Sequence, residues 1–373
     1  MIFLDFLLLI FTFYALARLI DVFFVETLEI ISKKLKLSSD VAGATFMAIG
    51  SSAPELFVSI LALTKASEQQ SLGAGTIVGS AIFNILVIIG ASALFKRALL
   101  TWQPVIRDMT FYVLTILLLL FTFIDGKITL YDSLAFVALY ALYIYSLSFW
   151  KKLFPYTSKD DILDIAAEAS VAEARNIRKE KWEIKNILDK VFSFFFFNLE
   201  KYPKLYLINF LISIAFLAIL SHFMVESAVS IAIFFNIPSV IIGLTILAAG
   251  TSIPDLLSSI NVAKKGKGDM AISNAVGSNI FDIAVGLGLP WLFLTLFTGK
   301  NIAVVTENLS SSIILLFATV VALLFLLIAK KWEIGRYAGV LLIAAYIFYL
   351  LTQLGVVSFS LCLNLGGGYC FGL

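Results

Sequence analysis

One stretch of the chain occurs twice, and each copy carries an acid inside an apolar segment. Gly43–Ile60 reads GATFMAIGSSAPELFVSI and Gly243–Ile260 reads GLTILAAGTSIPDLLSSI, at a constant offset of 200 residues. The alignment pairs Gly50 with Gly250, Ser51 with Thr251, Ser52 with Ser252, Pro54 with Pro254 and Glu55 with Asp255. A carboxylate at the centre of a lipid-embedded helix costs roughly 2.5–3.5 kcal/mol on insertion scales. Two such acids at equivalent points of two repeats point to one shared site at a repeat interface, as in many secondary transporters.

The surroundings of the repeats are apolar throughout. The chain is 61% hydrophobic and only 14% charged, whereas soluble domains are about half apolar and about a quarter charged. This excludes a soluble fold and makes membrane lipid the main partner. A net charge of +2 gives no ground for a nucleic-acid partner. Apolar runs of spanning length fall at 1–30, 40–64, 71–95, 105–124 and 129–150, then at 205–233, 237–263, 268–297, 303–329 and 333–357. They predict an all-α integral membrane protein of ten helices in two sets of five. The expected organisation is a first five-helix repeat at 1–150, a cytoplasmic linker loop at 151–204, a second repeat at 205–357 and a short tail at 358–373.

Basic residues set the expected orientation. With the N-terminus outside, 23 of the 27 Lys and Arg residues fall on the inner side, among them Arg107 and eleven in the linker. Lys65, Lys127 and Lys300 fall outside, and Arg18 lies in the first helix. The positive-inside rule then puts both termini outside and the linker in the cytoplasm. Five helices per repeat is an odd number, so the second repeat enters the membrane from the opposite side and the repeats are inverted. Asp5 ahead of the apolar run, with no basic leader, makes the first segment a retained helix. Cys362 and Cys370 sit in the tail, where a disulfide and a pair of inert thiols are both open readings.

The linker mixes eleven basic and nine acidic groups. Between Asp160 and Lys190 the charges alternate with apolar residues, as on a surface amphipathic helix. A plain tether and a lipid-contacting helix anchored by Phe194–Phe197 are the two readings.

A second element also recurs. Gly75–Gly90 reads GTIVGSAIFNILVIIG and Ser273–Gly288 reads SNAVGSNIFDIAVGLG, aligning Ser80 with Ser278 and Asn84 with Asp282 at an offset of 198. Each of the four elements has a hydroxyl four residues before its acid or amide: Ser51–Glu55, Ser80–Asn84, Thr251–Asp255 and Ser278–Asp282. That spacing puts each pair on one helix face. The resulting donors are carboxylate, amide and hydroxyl oxygens with no His or Cys, a set suited to Ca²⁺, Na⁺ or K⁺ rather than zinc, copper or iron. Pro54 and Pro254 interrupt their helices, and carbonyls released near Ala48 and Ala248 are further candidate ligands. Glu55, Asp255 and Asp282 sum to −3 when ionised, which one divalent plus one monovalent cation, three monovalent cations, or partial protonation can balance.

These motifs resemble the cation/calcium exchanger superfamily, and within it most closely the potassium-dependent sodium/calcium exchangers. The likeness is carried by AGATFMAIGSSAPELF (Ala42–Phe57), GTIVGSAIFNIL (Gly75–Leu86), GLTILAAGTSIPDL (Gly243–Leu256) and VGSNIFDIAVGLGLPW (Val276–Trp291). It continues into ALARLIDVFFVETLEI (Ala15–Ile30) and ILSHFMVESA (Ile219–Ala228). The resemblance implies that Glu55 and Asp255 are central Ca²⁺ ligands shared with Na⁺, joined by Ser51, Thr251, Ser52 and Ser252. It implies that Ser80 and Ser278 line flanking monovalent sites and that Asn84 and Asp282 complete the centre. An acid at the Asp282 position goes with K⁺ dependence in the family. Compared with animal relatives, the chain has no long N-terminal region and a shorter linker, as in a compact prokaryotic member. Glu226 stands where relatives tend to be apolar; a helix-end surface acid and an acid that admits ions are the two readings. His222 nearby reads as a packing or interfacial residue.

The function this implies is antiport of Ca²⁺, with K⁺ alongside, against Na⁺, in the plasma membrane and with the monomer as the working unit. No enzyme chemistry and no cofactor are implied; the ions are the cargo. A Ca²⁺/H⁺ antiporter and a K⁺-independent Na⁺/Ca²⁺ exchanger are the alternatives on the same fold. An acid-lined channel and an intramembrane aspartyl hydrolase using Asp255 and Asp282 fit poorly with an inverted repeat that supplies Glu55. The first and sixth helices, at 1–30 and 205–233, carry no site motif and are the candidates for the moving group.

Overall fold

A backbone in lipid must satisfy its own N–H and C=O groups, so apolar runs of this length become helices. The computed structural model describes residues 2–34, 48–63, 67–95, 98–154, 187–199, 201–264, 268–304, 309–354, 360–363 and 369–372.

The first half comprises α1 (Ile2–Leu19) and α2 (Val25–Lys34), joined by a π turn at Ile20–Phe24, then α3 (Ala48–Ser51) and α4 (Ala53–Leu63). Helix α5 (Ser67–Phe83) passes through a π turn at Asn84–Ile88 into α6 (Ile89–Phe95), and α7 (Trp102–Thr122) and α8 (Leu130–Leu153) follow. A short helix α9 (Ile187–Phe195) precedes α10 (Tyr206–Phe235). The second half then has α11 (Ser239–Ile242), a π turn at Gly243–Leu247, α12 (Ala248–Thr251) and α13 (Ile253–Lys264). It ends with α14 (Gly268–Phe281), a π turn at Asp282–Leu287, α15 (Gly288–Thr298), α16 (Leu309–Ala329) and α17 (Arg336–Gln353).

Among the described residues, eight helical segments are long and apolar enough to cross a membrane, from Ile2–Leu28 to Arg336–Gln353. Of the other two apolar runs expected from the sequence, the described part of the first, 48–63, and the second, 237–263, are built from short helices instead. Each is broken at a serine, Ser52 between α3 and α4 and Ser252 between α12 and α13. The cause is the proline two residues on, which has no N–H to give to the carbonyl of Gly50 or Gly250. The ladder restarts at once, with Leu56 N–H donating to Ser52 at 3.1 Å and Leu256 N–H donating to Ser252 at 3.0 Å.

Two departures from expectation concern charged residues. Arg107 is inside α7 and buried, not in a loop; its Nε donates to Asp108 Oδ1 at 2.8 Å. Asp108 also accepts from Tyr143 at 3.2 Å and Ser273 at 3.1 Å, so one carboxylate ties α7 to α8 and α14. Glu226 is half-buried well inside α10, which ends at Phe235, so it is not a helix-end acid. His222 is exposed on the same helix, near its middle, beside Phe223. The linker residues 155–186 and the Cys362 and Cys370 side chains lie outside what the structure describes, although the strand pair Ser360–Leu363/Tyr369–Gly372 sets the two cysteines opposite each other in register.

The buried apolar side chains form two separate bodies. The larger draws on α5–α8, α14–α17 and their connections. The smaller is built mainly on α1, the turn after it and α10, with Phe192 and Phe196 from the segment around α9, and it packs on buried residues of the site elements: Ala53, Val58 and Ala62 of α4, Leu72 of α5, Ile242 of α11 and Leu247. Two-residue strands close the larger body at its ends: β1 (Ala98–Leu99) pairs with β4 (Glu333–Ile334), and β2 (Lys127–Ile128) with β3 (Ile302–Ala303), both antiparallel.

Candidate cation site

Close approach of two backbones sets the site. Gly75 and Gly79 form a GxxxG stripe on α5, the pattern that lets membrane helices touch. A Cβ at Gly79 would collide with the Leu244 carbonyl oxygen and lie 2.6 Å from the Ala248 Cβ. With only hydrogen there, α5 lies on the π turn Gly243–Leu247 and on α12, and Ser80 comes within reach of the break at Ser252.

Ser80 then bridges the two halves. Its Oγ is 3.3 Å from the Ala248 carbonyl oxygen, 3.3 Å from Thr251 Oγ1 and 3.4 Å from Glu55 Oε1. Ser252 Oγ also donates to Glu55 Oε1, at 3.4 Å. On the opposite side Ser51 Oγ and Ser278 Oγ are 3.4 Å apart. Ser51, Ser80 and Ser252 thus each reach an element of the other half, and Ser80 also reaches Glu55 of its own. Ser51 and Ser80 do so in addition to the four-residue spacing that pairs them with Glu55 and Asn84. Thr251 Oγ1 bonds back to the Leu247 carbonyl at 3.0 Å. The Ala248 carbonyl accepts the Ser252 N–H at 3.2 Å, so the helix break does not release it, though one lone pair still faces Ser80. Ala48 opens α3 on the Ser51 side.

Glu55, Asp255, Asp282 and Asn84 are all 0% exposed. Burial of this kind requires hydrogen-bond partners or a bound cation. Among the described residues several of these oxygens form no close hydrogen bond: Glu55 Oε2, Asn84 Oδ1, Ser52 Oγ and both carboxylate oxygens of Asp255 and of Asp282, with the Ser51 hydroxyl facing Asp255 and the Ser52 hydroxyl facing Asp282. Glu55 feels the charge of Asp255, and Asp282 feels both, so the three acids share one electrostatic neighbourhood. Among the described residues no three His, Cys, Asp or Glu side chains gather as a tight metal cluster. The acids are instead interleaved with hydroxyls and an amide, which is a donor set for hard cations.

Asn84 and Asp282 each begin a π turn. Such bulges are rare and occur often at functional sites. No hydrophobic pattern announces them.

Sequence reasoning missed Asn279, Tyr112 and Phe13. Asn279 Nδ2 donates to Tyr112 OH at 2.9 Å and to the Ala81 carbonyl at 3.1 Å, while its Oδ1 accepts Asn84 Nδ2 at 2.8 Å. Its signal was in the repeats: Asn279 aligns with Ala81, a polar departure from internal symmetry. Phe13 of α1 presses its ring on Gly250, so that a Cβ there would overlap the ring atoms Cζ and Cε1. Nothing in the sequence links those two positions.

The whole chain can now be set beside known proteins. It matches the family described as sodium/calcium exchanger protein over residues 5–149 and 205–355. The chain belongs to that family. Among curated relatives, sodium/potassium/calcium exchanger 2 of Gallus gallus is 30% identical over an alignment spanning 92% of this chain and 76% of that protein. Exchanger 2 of Homo sapiens is 29% identical, with 92% of this chain and 77% of that protein covered. Among solved structures, the sodium-calcium exchanger NCX_Mj, soaked with Na⁺ and Sr²⁺, is 26% identical, with a TM-score of 0.56 and coverage of 94% of this chain and 99% of that one. The H⁺/Ca²⁺ exchanger CAX superposes with a TM-score of 0.69 over 93% of this chain and 82% of that one, at 15% identity, which speaks to the fold alone.

Proposed function

We propose that this family member is a secondary antiporter that moves Ca²⁺, together with K⁺, against Na⁺ by alternating access. The observation that carries the reading is the set of buried oxygens on Glu55, Asp255, Asp282 and Asn84 that form no close hydrogen bond among the described residues. They are carboxylate and amide donors, and they lie at two helix breaks and two π turns. Glu55 and Asp255 hold the divalent ion or its replacement Na⁺ ions. Ser51, Ser52, Thr251, Ser252 and the Ala48 and Ala248 carbonyls complete that shell, and Ser80 and Ser278 serve the flanking monovalent ions. Asp282 is the acid that favours K⁺ as co-substrate, in line with the names of the exchangers from Gallus gallus and Homo sapiens.

The repeats are read as two inverted five-helix halves, 1–150 and 205–357, on either side of a cytoplasmic linker at 151–204, with the 358–373 tail and both termini outside the plasma membrane. The strand pairs support the inversion. β1 follows the first copy of the Asn84/Asp282 motif and β3 the second, and each pairs with a late loop of the other half. The apolar body of α1 and α10, apart from the larger core and resting on Ala53, Val58, Ala62, Leu72, Ile242 and Leu247, supports a two-body movement in which those helices slide over the site helices. A monomer contains all of these parts.

Ca²⁺ uptake into proteoliposomes loaded with Na⁺, with and without external K⁺, tests the reading. It expects uptake that needs both ions, and loss of the K⁺ requirement in Asp282→Asn. Uptake indifferent to K⁺ would leave Na⁺/Ca²⁺ exchange alone, and uptake driven only by a pH gradient would favour protons. Cross-linking α1 to the site helices should stop transport; full activity after complete cross-linking would refute the two-body movement.

A further inference from the structure

The short helix before α10 has one face fixed to the smaller apolar body and the other uncovered. Asp189 of α9 takes a two-pronged contact from Arg18 of α1: Nε to Oδ1 at 3.1 Å and Nη2 to Oδ2 at 2.6 Å. Paired, planar Arg–carboxylate contacts are the stronger and more directional kind. Phe196 stacks on Phe23 of the π turn that follows α1, with ring centroids 4.2 Å apart, and Phe192 meets Phe216 of α10 edge-on at 5.4 Å. Beyond the helix, Asn209 of α10 clamps the Phe197 backbone, accepting its N–H at 2.9 Å and donating to its carbonyl at 2.8 Å. The segment is thus fastened to both α1 and α10 by an ion pair, an aromatic stack and a backbone clamp.

The other face is apolar and open. Phe194 is 85% exposed, and Val191 and Phe197 are also exposed, while Phe195 sits at the flank where its ring meets Phe216 of α10 and Lys190 is an exposed cation in the same helix. Helix α10 exposes Leu207, Ile208 and Leu211 in the turns on either side of Asn209, so the open phenylalanines lie at the depth of a lipid-facing surface. Apolar aromatics beside a basic residue on a short amphipathic helix are the composition of an interfacial segment.

We propose that α9 lies in the boundary of the cytoplasmic leaflet and travels with α1 and α10 as one body, so that its seat in the lipid sets the turnover rate. The occupant of its open face is the bilayer. The coupling to turnover rests on the two-body reading above; the position of α9 does not. Within this arrangement Arg18 and Asp189 are positioning residues and touch no transported ion.

Two measurements on the full chain in proteoliposomes test this. In the first, Cys362 and Cys370 are replaced by Ser, and a spin label is attached to a cysteine introduced at position 194 or 190. Label 194 is expected to collide with oxygen far more than with a water-soluble nickel chelate, and label 190, one turn away on the same face, to do so as well. Preferential access of nickel to label 194, or its shielding from both reagents by a second copy of the chain, would overturn the membrane seat. The second compares Asp189→Asn with Asp189→Glu. The Asn variant is expected to lower the maximal exchange rate about five-fold or more with Ca²⁺ affinity unchanged, and the Glu variant to restore most of the rate. An unchanged rate in Asp189→Asn would overturn the coupling, and unchanged Ca²⁺ binding certifies that the variant is folded. Failure of the two-body reading would appear separately, as full activity after α1 is cross-linked, with the label result unmoved.

Discussion

Asn279 fixes the direction of the Asn84 amide. Because the Asn279 NH₂ is used by Tyr112 and the Ala81 carbonyl, its Oδ1 is left to accept from Asn84 Nδ2 at 2.8 Å. That contact leaves Asn84 Oδ1, which has no hydrogen-bond partner among the described residues, as the atom that can be offered to a cation. Residues that orient ligands commonly change affinity 10- to 100-fold when removed. Asn279→Ala should therefore weaken apparent Ca²⁺ affinity about ten-fold with a smaller change in maximal rate, and Tyr112→Phe should do less. Saturation curves of Ca²⁺ uptake separate the two parameters, and an unshifted half-saturation point in Asn279→Ala would remove the orienting role.

The two halves should respond differently at aligned glycines. A methyl at Gly79 meets the Leu244 carbonyl and the Ala248 Cβ, whereas a methyl at Gly277 meets only Tyr143 OH, at 3.8 Å. Overpacking typically costs about 1–3 kcal/mol, so Gly79→Ala should lower the thermal unfolding midpoint in detergent and impair transport. Gly277→Ala should leave the midpoint close to that of the unaltered chain. Equal effects at both positions would contradict the asymmetric packing.

Phe13 and Gly250 form a contact between the smaller apolar body and a site helix. Gly250→Ala should reduce exchange strongly, because the added methyl and the ring compete for one space. Phe13→Ala should restore a good part of it in the double variant, as expected of residues that share a cavity. A double-mutant cycle of initial rates measures this coupling, and strictly additive effects would argue against the contact.

Asp108 is a structural acid by its contacts. It receives Arg107, Tyr143 and Ser273 at 2.8–3.2 Å and is 2% exposed. Breaking a buried charge pair from one side costs about 3–5 kcal/mol. Asp108→Leu should accordingly be much less stable than Asp108→Asn, which keeps an acceptor for the same donors. Thermal unfolding of the two variants in one detergent checks the order.

What could be read from the sequence was what repeats itself. Two copies of a proline-acid element and two of a Gly-Ser element led directly to Glu55, Asp255, Asn84 and Asp282, all of which prove buried near helix breaks or π turns. The breaks at Ser52 and Ser252 followed from Pro54 and Pro254 alone. Features that depend on only one half were not legible. Asn279 has an alanine as its counterpart, and the Phe13–Gly250 contact joins positions with no common pattern. Arg107 was counted with the loop charges because a basic residue near a helix start looks like a flank; the acid that lets it be buried is its own neighbour, Asp108. The hydroxyls of Ser80 and Ser51 reach across the halves because the helices cross there, and a spacing rule within one helix has no access to that.

The central claim is that one buried site holds either Ca²⁺ or Na⁺. Calorimetric Ca²⁺ titration of the purified chain, repeated at rising Na⁺ with Glu55→Gln and Asp255→Asn alongside, tests it most directly. The account predicts Ca²⁺ binding whose apparent Kd rises with Na⁺, and its loss in both variants. Ca²⁺ binding that ignores Na⁺, or that survives removal of both carboxylates, would contradict it.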